Sequence, residues 1–150
     1  MKKFDILKKK VLEKSINTNW MDAKQEWRMV LHEINEEYLG ECTCTQHDLY
    51  HLYTIKNINN KQTLVVGSRC IKHFKNPIMT EKVKIVEKWG TRILKYGKYK
   101  GMSYQDAIQD KGFPSYYAWA TGTATFHFKK NLEDVFRYYS VVRQLHTQCP

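Results

Sequence analysis

The sequence predicts a mixed α+β fold with a helical N-terminal part, a central β-hairpin and a small α+β module at the C-terminal end. Apolar residues recur at helical spacing towards both ends of the chain. Two runs rich in β-branched and aromatic residues flank a polar turn in the middle. Asn76-Pro77 is the best candidate for an internal boundary, and it divides the 150 residues into 1–75 and 76–150.

The N-terminal part is predicted to contain two helices. Apolar side chains between lysines predict the first helix over about residues 3–15. Asn19 or Asp22 can cap a second helix that reaches about Tyr38, with Gly40 as its end. The apolar stripe of this second helix comprises Ala23, Trp27, Val30, Leu31 and Ile34.

The hairpin and the C-terminal module follow. Residues 49–55 and 62–66 predict two strands joined by a polar turn, and residues 69–75 begin a short helix. Ser103, with Asp106 three residues later, resembles a capping box at the start of a helix. The elements predicted for the C-terminal module are helix 80–89, strand 92–96, helix 103–111, helix 114–119 and helix 131–146.

Three of the four cysteines are grouped around the hairpin. Cys42 and Cys44 precede it, and Cys70 follows it. Structural zinc sites take four N or S ligands from tight local pairs, so the spacing predicts Zn²⁺ bound by these cysteines and a histidine. A knuckle, a hairpin and a helix start in this order are typical of treble-clef-like zinc modules. Such a site is structural, because its ligands can fill all four positions.

The spacing leaves the fourth ligand open between His47, just past the first knuckle, and His73, three residues after Cys70. Two other interpretations compete with zinc, namely three buried thiols and a redox pair at Cys42 and Cys44. Cys149, near the end of the chain, is predicted to be a bystander.

The positive charge is concentrated in one third of the chain. The chain carries a formal net charge of +10, and residues 54–100 hold twelve basic residues and two acids, so the whole excess lies there. Basic residues interleaved with aromatic ones are typical of polyanion binders, and a solvated basic face is the alternative. The residues predicted to contact phosphates are Lys56, Lys61, Arg69, Lys72, Lys75, Lys98 and Lys100.

Glycines flank the last two of these lysines in the segment Gly97-Lys98-Tyr99-Lys100-Gly101. If the segment is extended, Lys98 and Lys100 point one way, and Tyr99 packs inward or stacks on a base. A β-turn with solvated lysines is the alternative.

Several classes of function lack their sequence signature. The chain has no phosphate-binding Gly-rich loop and no nucleophile elbow. A nuclease needs clustered acids for its metals, and the best pair, Asp106 and Asp110, is interpreted as a solvated helix face. No apolar run approaches the roughly 18 residues of a membrane span, and the lysine-rich start does not resemble a signal peptide. We therefore expect an intracellular protein that is not secreted.

Residues 22–75 carry a first resemblance. Its motif residues are Glu26-Trp27, Cys42-Thr43-Cys44, Tyr53-Thr54-Ile55-Lys56-Asn57 and Val66-Gly67-Ser68-Arg69-Cys70-Ile71-Lys72-His73-Phe74. This pattern resembles a small zinc-finger-like module of uncharacterised proteins from large DNA viruses and bacteriophages. The family knuckle reads Cys-x-Cys-Gly-His, whereas here Thr45 replaces the glycine and the histidine comes later, at His47. The family position three after the last cysteine is variable, so the resemblance implies His47 rather than His73.

A second resemblance covers about residues 89–120. Leu94-Lys95-Tyr96-Gly97-Lys98-Tyr99-Lys100-Gly101 is followed by Asp106-Ala107-Ile108 and Tyr116-Tyr117-Ala118-Trp119. The pattern is similar to the small Gly-Lys-x-Lys-Gly domain appended to exodeoxyribonuclease X-type exonucleases. It implies an accessory module associated with nucleic acid, without the catalytic acids of the exonuclease.

These observations predict a non-enzymatic, zinc-containing nucleic-acid-binding protein of a virus or phage, acting in replication, transcription or packaging. DNA is favoured over RNA, and a viral protein is expected in the host cytoplasm or nucleus. The alternative is a protein-interaction factor that modulates a host nucleic-acid enzyme through an acidic partner surface. A nuclease that uses Asp106 and Asp110 is the third candidate.

Overall fold

The computed structural model describes residues 2–122 and 130–147, and it confirms a mixed α+β chain. Two compact units are present. The described residues of unit 1 are 2–83 and 145–147, and those of unit 2 are 84–122 and 130–144. The division falls seven residues after the expected boundary at Asn76-Pro77, within a continuous helix.

Unit 1 combines short helices with a small sheet. Its elements are α1 (Lys3–Glu13), α2 (Trp20–Ala23), a 3₁₀ turn (Lys24–Glu26), β1 (Trp27–Ile34), β2 (His51–Asn57), β3 (Thr63–Val66) and α3 (Ser68–His73). The next helix, α4 (Pro77–Lys88), continues into unit 2. The first helix, the hairpin of β2 and β3, and the short helix after it are confirmed.

The sheet is antiparallel and has three strands in the order β1-β2-β3. Trp27 pairs with Asn57, and Tyr53 pairs with Val66. Trp27, Tyr53, Ile55 and Val66 are fully buried and form the centre of the unit 1 core. The hairpin therefore packs its apolar face inward, as the sequence pattern predicts.

The predicted helix from residue 22 to Tyr38 is wrong, because its main part is strand β1. Asn19 does cap a helix there, since its side chain accepts from the Asp22 N–H, but that helix ends at Ala23. A register shift between Met29 and Leu31 breaks the alternation of β1. Burial then falls on Trp27, Met29 and His32, a spacing that mixes two and three residues and resembles a helical stripe.

Unit 2 is helical in its described residues. Its further elements are α5 (Tyr104–Ala107), α6 (Phe113–Gly122) and α7 (Lys130–Thr147). The predicted strand 92–96 is wrong, because only Ile93 forms an isolated bridge, with Ser103. The expected α+β character of the C-terminal module is therefore not found in the described part of unit 2, where no strand forms.

Other unit 2 predictions succeed in part. The Ser103 side chain accepts from the Asp106 N–H at 3.2 Å, which confirms the cap, although α5 ends at Ala107 rather than near Lys111. The last predicted helix is confirmed as α7. Aromatic side chains dominate the core of this unit, with Tyr99, Tyr104, Phe113, Phe136 and Tyr139 all buried. None of the described helices is both long and apolar enough to cross a bilayer.

Candidate metal centre and basic surface

The three grouped cysteines come together in unit 1. Cys42, Cys44 and Cys70 are buried, none forms a disulfide, and their sulfur atoms all lie within 4.8 Å of one another. The Sγ atoms of Cys42 and Cys70 are 3.4 Å apart. Sulfurs at about 2.3 Å from a tetrahedral zinc lie somewhat under 4 Å from one another. The cluster therefore fits three ligands of one metal ion.

Two local structures place the sulfurs. The first is a tight turn in which the Cys42 N–H donates to the Gln46 carbonyl and the Thr45 N–H donates to the Cys42 carbonyl. Thr45 adopts a left-handed conformation with φ 78°, which lets the chain reverse directly after Cys44. The second is the first turn of α3, where Cys70 faces inward.

The thiols of the cluster interact with one another. The Cys42 and Cys70 sulfurs share a hydrogen bond, which lowers the pKa of Cys42 and raises the pKa of Cys70. The Cys44 N–H also donates to the Cys42 sulfur at 3.4 Å. Cys42 therefore carries negative charge more readily than Cys70, and thiolate is the form that binds metals.

A cavity of about 400 Å³ adjoins the cluster. Besides the three cysteines, its lining includes Lys3, Phe4, Gln46, Arg69 and His73. Phe4 stacks on the His73 ring with centroids 4.3 Å apart, and the Lys3 ammonium donates to the Gln46 side chain. The N-terminal end of α1 and the three cysteines thus line the same cavity.

The two candidate histidines differ in position. His73 is exposed, and it lines the cavity beside the cysteines. The side chain of His47 is 74% exposed, and its Nδ1 lies 2.9 Å from the Asp48 carboxylate. The structure therefore brings His73, but not His47, to the cavity at the sulfurs.

Most of the predicted phosphate-contacting residues are exposed. In unit 1, Lys56 is half-buried, whereas Lys61, Arg69, Lys72 and Lys75 are exposed. Lys61 lies in the turn between β2 and β3, and its ammonium donates to the Ile58 carbonyl at 3.0 Å. The other three lie on α3 or directly after it.

The Lys98 and Lys100 segment forms a turn in unit 2 and is not extended. Gly97 and Gly101 have φ values of +84° and +90°, and the Lys100 N–H donates to the Gly97 carbonyl at 3.2 Å. Both lysines are exposed. Tyr99 is buried, and its hydroxyl donates to the Asp110 carboxylate at 2.8 Å, so its ring packs inward and is not placed to stack on a base.

Asp106 and Asp110, the acidic pair considered for a nuclease, do not lie on one face of a helix. The helix ends at Ala107, and the Asp110 carboxylate accepts from the Tyr99 hydroxyl and the Gly112 N–H. Within residues 2–122 and 130–147, the cysteines are the only group of three or more potential metal ligands whose donor atoms all lie within 4.8 Å of one another. Cys149 lies outside the described residues.

Two buried polar groups of unit 1 escape sequence reasoning. Glu26 is almost fully buried and accepts hydrogen bonds from Ile16, Asn17 and Asn57. Burial would raise its pKa, but these donors outweigh that effect and lower the pKa to about 2. No local motif signals this carboxylate, because its donors come from residues far along the chain.

The second buried group is His32. Its Nε2 lies 2.9 Å from His51 Nδ1, and its Nδ1 lies 3.1 Å from His146 Nε2. Burial, reinforced by the two neighbouring rings, lowers the pKa of His32 to about 3, so the ring is neutral at physiological pH. The prediction of a helix over residues 22–38 did not indicate that His32 is buried, because His32 is not part of the apolar stripe of that helix.

Comparison of the chain with family models, curated proteins and solved structures gives no match in any of the three.

Proposed function

We propose that unit 1 binds a structural Zn²⁺ and that the protein is a non-enzymatic nucleic-acid-binding protein. The observation that carries this proposal is the division of α3 into two sides. Cys70 and Ile71 are buried, whereas Arg69 and Lys72 are exposed, and exposed Lys75 follows the helix. A metal held through Cys70 would keep this basic side in a fixed orientation.

Zinc is supported by the chemistry of the donor set. Three cysteines at this spacing suit a soft, tetrahedral ion, and thiolates select Zn²⁺ over Mg²⁺ or Ca²⁺. Three thiolates and one Zn²⁺ leave one net negative charge, which Lys3 in the cavity lining would offset. When bound, the ion would supply a cross-link between the first knuckle and α3, and so stabilise a module with a small core.

His73 is proposed as the fourth ligand. It lies three residues after Cys70 on the same helix, so the two side chains share a face, and it lines the cavity at the sulfurs. The alternative, His47, is supported by the resemblance of the first knuckle, but its exposed ring interacts with Asp48.

Nucleic acid is the proposed partner because most of the residues predicted to contact phosphates are exposed, in a basic stretch of the chain. Residues 54–100 hold twelve basic residues and two acids. Neutralising phosphates with Lys and Arg releases counterions, which gives affinity without sequence specificity. DNA in viral or phage replication, transcription or packaging is the proposed context, in keeping with the two resemblances.

A second candidate function has its own supporting observation. Ile34, Tyr38 and Leu39, at and just after the end of β1, are 46%, 57% and 66% exposed. Exposed apolar side chains close together in the chain are typical of protein interaction sites. The alternative is therefore a factor that binds a protein partner, with its basic residues meeting an acidic surface.

The experiment measures the salt dependence of binding to a labelled DNA oligonucleotide. Arg69, Lys72 and Lys75 are changed together to Ala, and the matched control changes the exposed lysines Lys8, Lys9 and Lys10 of α1. Each lost phosphate contact lowers the slope of log affinity against log salt by about 0.7 to 0.9, so the α3 variant should lose about two units or more. The control should lose less than one such unit. If the protein does not bind the oligonucleotide at low salt, the proposed nucleic-acid-binding function is wrong and binding to a protein partner remains as the candidate function.

A further inference from the structure

Unit 2 has an exposed tryptophan on α6. The Trp119 side chain is 57% exposed, whereas Trp27 and Trp89 are buried. Its ring stacks on Tyr116 with centroids 6.2 Å apart and an interplanar angle of 23°. An exposed indole offers a large aromatic surface on which another ring can stack.

Tyr116 connects this tryptophan to the basic turn. Its ring lies 5.4 Å from the ring of Tyr99, and its hydroxyl packs so closely on Gly97 that a Cβ there would lie 2.7 Å away. Tyr99 lies between Lys98 and Lys100 in the turn. A single ring, that of Tyr116, therefore separates the Trp119 indole from the turn that carries the two lysines.

The turn that Tyr116 contacts carries positive charge. Lys98 and Lys100 are exposed, whereas Arg92, at the start of this basic stretch, pairs with Asp134 at 3.6 Å. The carboxylate in contact with the turn belongs to Asp110, which accepts from the Tyr99 hydroxyl and the Gly112 N–H and lies near Lys98. Asp110 can offset one of the two lysines, so the turn keeps a net positive charge.

We propose that Trp119 and the turn 97–101 form a binding site for single-stranded nucleic acid, in which Trp119 stacks on a base while Lys98 and Lys100 contact phosphates. This inference rests on the proposed nucleic-acid-binding function and specifies its ligand. An aromatic ring next to cations is the arrangement that binds single strands without sequence preference. The bases of a duplex are stacked on one another, so Trp119 favours the single strand.

The experiment compares four probes with the full-length protein over a series of salt concentrations. The probes are a 15-nucleotide oligodeoxythymidylate, the matching oligouridylate, a DNA duplex of the same length, and inorganic phosphate. Trp119→Ala is compared with wild type and with Met102→Ala, which shortens another exposed apolar side chain of unit 2. Circular dichroism spectra that match wild type establish that each variant is folded.

Trp119→Ala should bind the single strands at least about five-fold more weakly, since loss of one base stack is worth about 1 kcal/mol or more. Its affinity for the duplex and its salt slope should stay at the wild-type values, as should all affinities of Met102→Ala. Tryptophan fluorescence should fall when a single strand binds wild type and not when it binds Trp119→Ala. The two strand probes show whether DNA, RNA or both are accepted, and each of these results supports the site.

Two results would overturn the inference in different ways. If the protein binds the strands but Trp119→Ala binds them equally well, this site is wrong and the proposed function stands. If no oligonucleotide binds at low salt, the proposed function fails and the site fails with it. A variant that loses affinity for the duplex as much as for single strands would also remove the stacking role.

Discussion

Replacing Glu26 with Gln should strongly destabilise unit 1, although the two side chains have nearly the same shape. Each carboxylate oxygen accepts two close donors. Oε1 accepts from the Ile16 N–H and the Asn57 side-chain amide, and Oε2 accepts from the backbone and side-chain N–H groups of Asn17, all at 2.9 Å. A glutamine has one oxygen and one NH₂ group, so in either orientation its NH₂ would face two donors.

The expected loss at pH 7 is about 1.5 to 3 kcal/mol, the range for hydrogen bonds to a buried charged group that are replaced by unsatisfied donors. The loss should depend on pH. The pKa of Glu26 is about 2 in the folded protein, against 4.5 for an unperturbed glutamate side chain. Because the folded pKa is depressed, this carboxylate stabilises the fold fully above pH 4.5, and that contribution falls as the pH drops towards 2.

The assay is urea unfolding of wild type, Glu26→Gln and the control Glu13→Gln at pH 7 and pH 3. The variants are compared at the same pH, so any metal lost in acid is lost from all of them. The difference between wild type and Glu26→Gln should shrink at pH 3, and exposed Glu13 should change stability by less than about 0.5 kcal/mol at pH 7. A difference that is equally large at both pH values, or a Glu26→Gln protein as stable as wild type at pH 7, would refute this account.

Two further predictions concern the metal and the turn of unit 2. Purified protein should contain about one zinc per chain, and in competition with a chelator His73→Ala should lose its metal sooner than His47→Ala; the reverse order would assign the fourth position to His47. Gly97→Ala should destabilise the protein more than Gly101→Ala in thermal unfolding. Both alanines incur about 1 to 2 kcal/mol of backbone strain, but a Cβ on Gly97 would also lie 2.7 Å from the Tyr116 hydroxyl while nothing lies within 4 Å of one on Gly101. Equal losses would mean that Tyr116 moves aside freely.

The cysteine cluster and the hairpin could be predicted because their signals are local. Cys42 and Cys44 are separated by one residue, and a hairpin of ordinary length returns the chain to Cys70. The spacing alone therefore limits how far apart the three sulfurs can lie. It does not decide between His47 and His73, because that choice depends on where α1 and α3 place the cavity.

Strand β1 was mispredicted for a physical reason that applies to bulged strands in general. The register shift at Met29–Leu31 inserts an extra residue, after which the inward face continues at His32 rather than at Leu31. Along the sequence, the buried positions are then separated by two and three residues, and the apolar residues among and around them fit a helical spacing. Because the inward position after the bulge is occupied by a polar residue, His32, the sequence does not indicate that it is buried.

The groups that the sequence hid are the ones whose partners lie far along the chain. Glu26 looks like an ordinary surface acid, yet the loop before α2 and the end of β2 surround it with donors. Buried carboxylates persist only where every acceptor site is met, so the residue is informative only once its donors are known. Trp119 is the converse case, an apolar residue that core-based reasoning assigns to the interior and the structure leaves exposed. Local spacing predicts clusters formed by neighbouring residues, whereas the burial of a charge and the exposure of an indole follow from the tertiary structure. Glu26 and Trp119 are therefore the residues whose substitution has the clearest expected effect, on stability and on binding respectively.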